Sequence, residues 1–402
     1  MMSEDRQAPN AKIPSDTVDA FVDRRSVLLV AVGTYMFWLS LYLYVPVLPL
    51  HAEKLGASLS MVGLVVSSYA FAQLLLRIPI GVCSDILGCR RPFAAMSLGL
   101  TTIGALGLAL APDPWMLFLA RSVVGVGAAG WVAISVLFSS YYPSHRTGHA
   151  MARVMTINSM GLLTATFTGG LIAQYSGSNA VFYAAAVAGA FGTVLMLAAR
   201  EPVATRNRTY SMVTFVRVLR TPLMLLAGGI GILVQFVTFG GSFGFVPVYA
   251  QRIGASNAEV GYVTTAMLIA QLLGTLVTTR VSERIGIRPT LLLSSLIVAF
   301  SMAMVPNMSS VWLLIGLQGI GGLGRGIANT LLISLSLRKI APEDRATGMG
   351  IYQAIYATGM ISGPIASGYL AQTASLEAVF YLVAIVSLVG GLLGLLKIIP
   401  FR

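Results

Sequence analysis

Acids are scarce in this chain. Only 14 Asp and Glu stand against 26 Lys and Arg in 402 residues, and charged residues of both signs make up 10% of it. Two cysteines, Cys83 and Cys89, are too few for a disulfide framework, and with only three histidines, all read as loop residues (His51, His145, His149), no metal-ligand spacing occurs. No phosphate-cradling glycine loop and no nucleophile beside a base is present, which argues against an enzyme and against a bound metal or organic cofactor.

Apolar residues fill the space that charge leaves. They form 56% of the chain, the mean hydropathy is +0.82, and runs of about twenty recur along the whole length. A soluble domain has no means of keeping so much apolar surface from water, so the class is an all-α polytopic membrane protein whose solvent partner is the lipid bilayer. The polar start, with Glu4, Asp5, Asp16 and Asp19, lacks the basic-then-apolar order of a cleaved signal peptide and reads as a disordered tail.

The formal charge of +12 is explained by where the cations sit. Arg24, Arg25, Arg90, Arg91, Arg146, Arg153, the arginines of 200–220, Arg280 to Arg288, Arg338 to Arg345, Lys397 and Arg402 all fall in alternate loops, whereas the other loops hold only Lys54 and Arg252. This positive-inside pattern predicts a multi-pass protein of the cell (cytoplasmic or inner) membrane with both termini in the cytoplasm, and it leaves nucleic acid without a role as partner.

Twelve spans follow from the apolar runs: 26–50, 60–83, 92–112, 114–139, 151–176, 178–199, 221–250, 258–281, 289–306, 310–336, 347–372 and 376–398. The polar interval 200–220 divides them into two six-helix bundles, giving a tail 1–25, bundles 26–199 and 221–398, and a C-terminus 399–402. The second half repeats the first. Lys54, Gly56, Ala57 and Ser58 recur as Arg252, Gly254, Ala255 and Ser256, Gln73 as Gln271, and Gly161 as Gly359, all at an offset of 198; Tyr44-Val-Pro46 recurs as Phe245-Val-Pro247 at 201. Two units of six helices enter the membrane from the same side, so their pseudo-twofold axis lies along the membrane normal and the interface between them is the expected binding place.

Three motifs sit on this frame. Gly81, Asp85, Gly88, Arg90 and Arg91 lie between spans 2 and 3, echoed by Glu283, Arg284, Gly286 and Arg288 between spans 8 and 9. Arg121, Gly125 and Gly127 lie in span 4, echoed by Gln318, Gly322 and Gly324 in span 10, with Arg325 one residue further on. Gly161, Gly169 and Gly170 lie in span 5, echoed more fully by Gly359, Gly363, Pro364, Ser367 and Gly368 in span 11. On these residues the chain resembles the major facilitator superfamily, and within it the twelve-helix drug and metabolite proton antiporters. It departs from the family pattern at Ile86 and Cys89, where basic residues are usual, at Val124, at Ala165 and Thr166, and at Thr279. The resemblance implies a secondary transporter of small molecules working by alternating access, with efflux driven by a proton gradient.

Each of these residues has more than one physical role open to it. Gly81 permits close helix approach, Gly88 a tight turn, and Asp85 is an acceptor for arginines or helix amides, so the two charged loops are either state-dependent latches at a cytoplasmic gate or static anchors. Small residues every fourth position in spans 5 and 11 allow backbone-to-backbone packing, and Pro364 allows a bend. Arg325, close to mid-membrane, costs about 2.5–3.5 kcal/mol even on the lenient insertion scale. It, like Arg121, is expected either to line a substrate cavity or to bond carbonyls, whereas Arg77 is near enough to the cytoplasmic end to snorkel. The other cavity candidates are Tyr35, Trp38, Tyr42, Gln73, Asn158, Gln235, Gln271, Asn329, Tyr352, Gln353 and Tyr356, whose aromatic members are as well suited to packing between helices.

The acids near the membrane are Glu53, Asp113 and Glu259 toward the outer face and Asp85 and Glu283 at the cytoplasmic face, with none in a helix core. Proton antiporters of this kind usually keep a titratable group in the cavity. Two readings of function therefore stand: a proton-coupled exporter of small organic molecules, and an organic-anion exchanger or uniporter whose arginines make a positive site for an anionic or zwitterionic substrate. A transporter-like receptor is a third reading that the matched motifs disfavour. Nothing in the pattern requires more than a monomer.

Overall fold

The computed structural model describes residues 23–143, 146–202, 212–341 and 344–400. The tail over 1–22, the loop residues 203–211, the last two residues and the Asp85 side chain lie outside the described residues. A backbone in lipid must satisfy its own hydrogen bonds, and twelve long helices result. They are α1 (Arg24–Tyr42), α2 (Leu59–Ile86), α3 (Arg91–Leu110), α4 (Pro114–Ala129, resuming as Trp131–Ser140), α5 (Thr147–Ser176) and α6 (Ser178–Ala198). The second set is α7 (Pro222–Val237), α8 (Asn257–Ile285), α9 (Ile287–Met304), α10 (Val311–Leu337), α11 (Arg345–Thr373) and α12 (Leu376–Leu393). Each set packs as a six-helix bundle, the two related by pseudo-symmetry.

Besides the break of α4 at Gly130, two more of the runs read as single spans are interrupted. Beyond Tyr42 the chain turns through Pro46 and restarts as the short helix Leu48–Lys54, and α7 continues through a π-helical segment, Thr238–Phe245, into Val246–Arg252. The π segment contains Gly240, where a Cβ would stand 2.7 Å from the Gly363 carbonyl of α11. Wider π winding at this close approach is typical of functional helices.

Among the described residues ten of the twelve helices, α4 and α7 taken with their continuations, are long and apolar enough to cross a membrane; α5 and α11 are long enough but too polar to meet that measure. The physical reason is their position. Each packs one side on its own bundle and the other on the opposite bundle, so less of its surface has to face lipid. Gly161 meets Trp38 and the Tyr35 carbonyl of α1 and Gly169 meets Leu43, while Gly170 meets Asn257 and Gly261 of α8. In the repeat, Gly359 and Gly363 meet Ile232 and Phe236 of α7, while Gly368 meets Leu59, Ser60 and Gly63 of α2.

These contacts form a clasp between the bundles that obeys the repeat. The Leu59 amide donates to Gln372 Oε1 (3.1 Å), and the Asn257 amide donates to Gln174 Oε1 (3.1 Å). Gly63 packs on Pro364 and Gly368, and Gly261 packs on Thr166 and Gly170, with Cβ positions on Gly261 and Gly170 only 2.9 Å from the facing Cα. Both pairs lie at the helix ends opposite the basic loops. Thr166 and Thr265 share a further hydrogen bond of 2.8 Å across this interface.

Most described carboxylates at helix ends serve as caps. Asp113 accepts from the Trp115 and Met116 amides (2.8 and 3.0 Å), Ser256 and Glu259 close a capping box on α8, and Asp23 accepts from the Arg25 amide (3.2 Å). The Ser26 hydroxyl, hydrogen-bonded to Asp23 at 2.6 Å, holds that carboxyl below the usual range. Glu201 accepts from the Arg90 and Arg91 amides at the start of α3, where the helix dipole also favours an anion.

Two expectations follow. Replacing Gly63 by Val forces a side chain into the Pro364 carbonyl; overpacking of about 1–3 kcal/mol shifts the population away from the clasped state roughly 5- to 150-fold, read as increased labelling of a cysteine placed at Ser60. His51, buried against the Phe182 ring (4.9 Å), is held below its ordinary 6.5, first by burial and then by Lys54. A depressed histidine contributes stability that is present above 6.5 and lost as pH falls below it, so the unfolding midpoint drops on acidification from that value and His51→Gln flattens the drop.

Candidate functional site

Arg121 of α4 is 5% exposed and sits where the first bundle meets α7 of the second. Its Nη1 donates to the Tyr44 hydroxyl at 2.7 Å, and its Cζ lies 5.1 Å from the Tyr44 ring centre and 4.6 Å from that of Tyr69 on α2. Two faces of aromatic electron density thus flank the guanidinium, each worth about 0.5–2 kcal/mol. Nε has no acceptor among the described residues, and no acid among them forms a salt bridge to this arginine. Gln73 donates to the Tyr69 hydroxyl and the Ala128 carbonyl, both at 3.4 Å, which fixes the Tyr69 ring.

The pocket beside Arg121 is bounded by Tyr42, Val45, Val66 and Tyr69 of the first bundle and by Phe239 and Phe243 of the π segment. Tyr42 and Phe243 meet edge to face across the two bundles at 6.2 Å. In the described state the cavity holds only about 20 Å³, close to the space of one water. Anything larger than a water requires the aromatic wall to part, and the glycines within the π segment give that wall backbone freedom.

The repeat places Gln318 where the first bundle has Arg121, and Phe245 where it has Tyr44; the Ser242 hydroxyl, three residues before Phe245, donates to Gln318 Oε1 at 3.5 Å. The two half-sites are thus unlike, one charged and one neutral. Arg325 lies elsewhere than the interface expected of a cavity residue. It is 1% exposed inside the second bundle, beside residues of α7, α9 and α12, with Nη1 against the Met267 sulfur of α8. The physical reason is helical rotation: a residue one step past Gly324, which packs on α9, projects into its own bundle.

Arg77 reaches the other bundle, donating from Nη1 to Gln353 Oε1 of α11 at 2.7 Å. Trp38 packs in an aromatic group with Phe37, Tyr42 and Trp131, its nearest centroid being Trp131 at 5.0 Å. Tyr352 is buried in the second bundle's own core, edge to face with Tyr356 at 5.2 Å. Tyr35, Asn158, Gln235, Gln271, Gln353, Asn329 and Tyr356 are half-buried on the helices expected to carry them.

The two charged loops act within their own bundles here. Gly88 and Gly286 adopt positive φ (62° and 89°), as tight turns require. Arg91 Nη1 donates to the Ala199 carbonyl beyond α6 (3.1 Å), and Arg288 donates to the Ile399 and Lys397 carbonyls beyond α12 (2.7 and 3.1 Å). Gly81 is buried in α2, and Glu283 and Arg284 are exposed. Arg217 pairs with Asp344 at 2.9 Å on the same face, an exposed bridge worth about 0–1 kcal/mol. Tyr141, at the end of α4, donates to the Arg200 carbonyl (2.7 Å), and burial, with Glu201 nearby, pushes its hydroxyl up to about 12.

Sequence reasoning missed several of these parts. Tyr44 and Tyr69 were legible as aromatics but not as the partners of Arg121, Glu201 was read only as part of a loop, and Glu377 at the start of α12 escaped the count of acids. The pairs Gly63 with Gly261 and Gln174 with Gln372 carry the same 198 offset as the recognised repeats, so that signal was available.

A family model described as Major Facilitator Superfamily matches residues 30–256 and 228–401. An uncharacterized MFS-type transporter of Methanocaldococcus jannaschii is 21% identical over 381 residues, covering 93% of this chain and 98% of that protein. The multi-drug resistance efflux pump PmrA of Streptococcus pneumoniae is 25% identical over 368 residues, covering 87% and 90%. Among solved structures, the nucleoside transporter NupG shares the fold with a TM-score of 0.72 at 16% identity, covering 91% of this chain and 97% of that one.

The coupling of Arg121 to Tyr44 is open to a direct check. Tyr44→Phe removes the acceptor and costs about 1.5–3 kcal/mol, whereas adding Arg121→Met to it recovers much of the loss because no charge is left unpaired. Thermal unfolding of the two single variants and the double variant reads this difference.

Proposed function

The chain belongs to the major facilitator superfamily, and on that premise we propose that it exports small organic molecules by alternating access, driven by a proton gradient, with the substrate held between the bundles at Arg121. The observation that carries the site is a buried guanidinium at the bundle interface, flanked by Tyr44 and Tyr69 and without a carboxylate partner among the described residues. It suits an anionic or zwitterionic molecule with a flat apolar body, since the pocket pairs one charge with aromatic walls. Efflux and proton coupling draw their support from the antiporter motifs and from a relative named as a multi-drug efflux pump.

The positive-inside pattern supports a cell-membrane protein with the basic loops in the cytoplasm. On that orientation the clasped face is the outer one. Protons then have few places to act. Asp85 and Glu283 lie at the cytoplasmic ends of α2 and α8, and Glu53, whose carboxyl burial holds above its usual range against the pull of Arg252, lies at the outer face.

A second reading has its own observation. Every described acid lies at a helix end or in a loop, so an organic-anion exchanger or uniporter that needs no proton fits the site equally in charge. Purified protein in liposomes separates the two. Accumulation of an aromatic carboxylate driven by an imposed pH gradient is the expected result, and equal flux without a gradient assigns the uncoupled reading. Arg121→Ala should lower flux by about 10- to 100-fold, the loss of a charge-assisted contact of about 1.5–3 kcal/mol; unchanged flux removes Arg121 from the site.

A further inference from the structure

We propose that the second bundle holds a resident small monovalent anion, a halide, at Arg325. The guanidinium is fully inside the bundle, and Nε and Nη2 have no acceptor among the described residues; its side-chain contact is the Met267 sulfur, a weak acceptor. Seven residues earlier on the same face of α10, Gln318 Nε2 is likewise buried without an acceptor. At Arg325 itself a buried cation is left with two donors unmet, as a missing anion would leave it.

Beside Arg325 is a void of about 10 Å³, lined by Ser294 and Ser295 of α9 and Ser387 of α12 together with Val237 and Val298. The Ser295 hydroxyl makes no hydrogen bond among the described residues and is free to donate into the void. Ser294 and Ser387 donate to the carbonyls of Leu291 (2.8 Å) and Ser295 (2.9 Å), and hydroxyls of this kind can rotate toward a better acceptor. A water would satisfy the N–H groups yet leave the charge uncompensated in a bundle whose described acids all lie at its ends or in its loops. An anion does both. The void is at the lower limit for one water, so chloride or bromide enters as its serine and valine lining relaxes, and polyatomic oxyanions are excluded. Because the site lies within one bundle and away from Arg121, the ion is a structural ligand that ties α9, α10 and α12 together and is no part of the substrate path.

The experiment uses purified full-length protein in detergent, with its unfolding midpoint followed as sodium chloride or sodium bromide replaces sodium gluconate at constant ionic strength. A saturable rise of about 3 °C is expected with either halide, and its loss in Arg325→Met. Equal midpoints in halide and gluconate, or an undiminished rise in Arg325→Met, overturn the proposal. Should that variant not fold, bromide-soaked crystals of the unaltered protein decide the matter. An anomalous peak within hydrogen-bond reach of Arg325 and Ser295 supports the site, and its absence from ordered density there refutes it.

Discussion

The close approach of α2 to α11 and of α5 to α8, with glycine on both sides, governs what else the structure can do. At Gly63 with Gly368, and at Gly170 with Gly261, one backbone lies against another with no room for a side chain. Interdigitating small residues supply packing where lipid offers no hydrophobic drive between helices, and the Leu59–Gln372 and Asn257–Gln174 hydrogen bonds fix the register. Such a contact is built twice about one axis, so on the proposed alternating access the two copies would separate together. A bistable interface of this kind is what alternation between two bundles requires.

Charge is distributed to suit that motion. Acids sit largely at helix ends, as caps on α1, α3, α4 and α8, where they stabilise the bundles without entering the path. Three of the described arginines reach the interior or the seam between the bundles. Arg121 is held at the interface by two tyrosines, Arg77 bridges to Gln353, and Arg325 is enclosed in the second bundle. The duplicated frame therefore carries an asymmetric filling. Its first half-site is positive and aromatic, and its second, with Gln318 and Ser242, is neutral.

Much of the frame was legible because it follows from period and repetition. Apolar runs gave the helices, the 198-residue offset gave the two bundles, and the glycine rows of α5 and α11 marked helices that pack on both sides. What was not legible depends on rotation and on distant partners. Arg325 differs from a cavity residue by the turn of a helix, which spacing along one helix does not reveal without its neighbours. Glu201 meets Arg90 and Arg91 from more than a hundred residues away, and nothing local announces it. The π segment of α7 lies at its close contact with α11, a tertiary partner that the sequence does not announce, although its three glycines mark a weak stretch of helix. The polarity of α5 and α11, by contrast, was present in the sequence and is explained once their partners are known.

The proposed opening of the clasp must show itself at its edges. Spin-label distances between Ser58 and Ala374, which flank the Leu59–Gln372 contact, report its opening in protein reconstituted in a bilayer. Two distance populations are predicted, the shorter matching the clasped structure, with Gly63→Val depleting it. A single short distance in both proteins, in a preparation that still transports, would contradict an opening clasp.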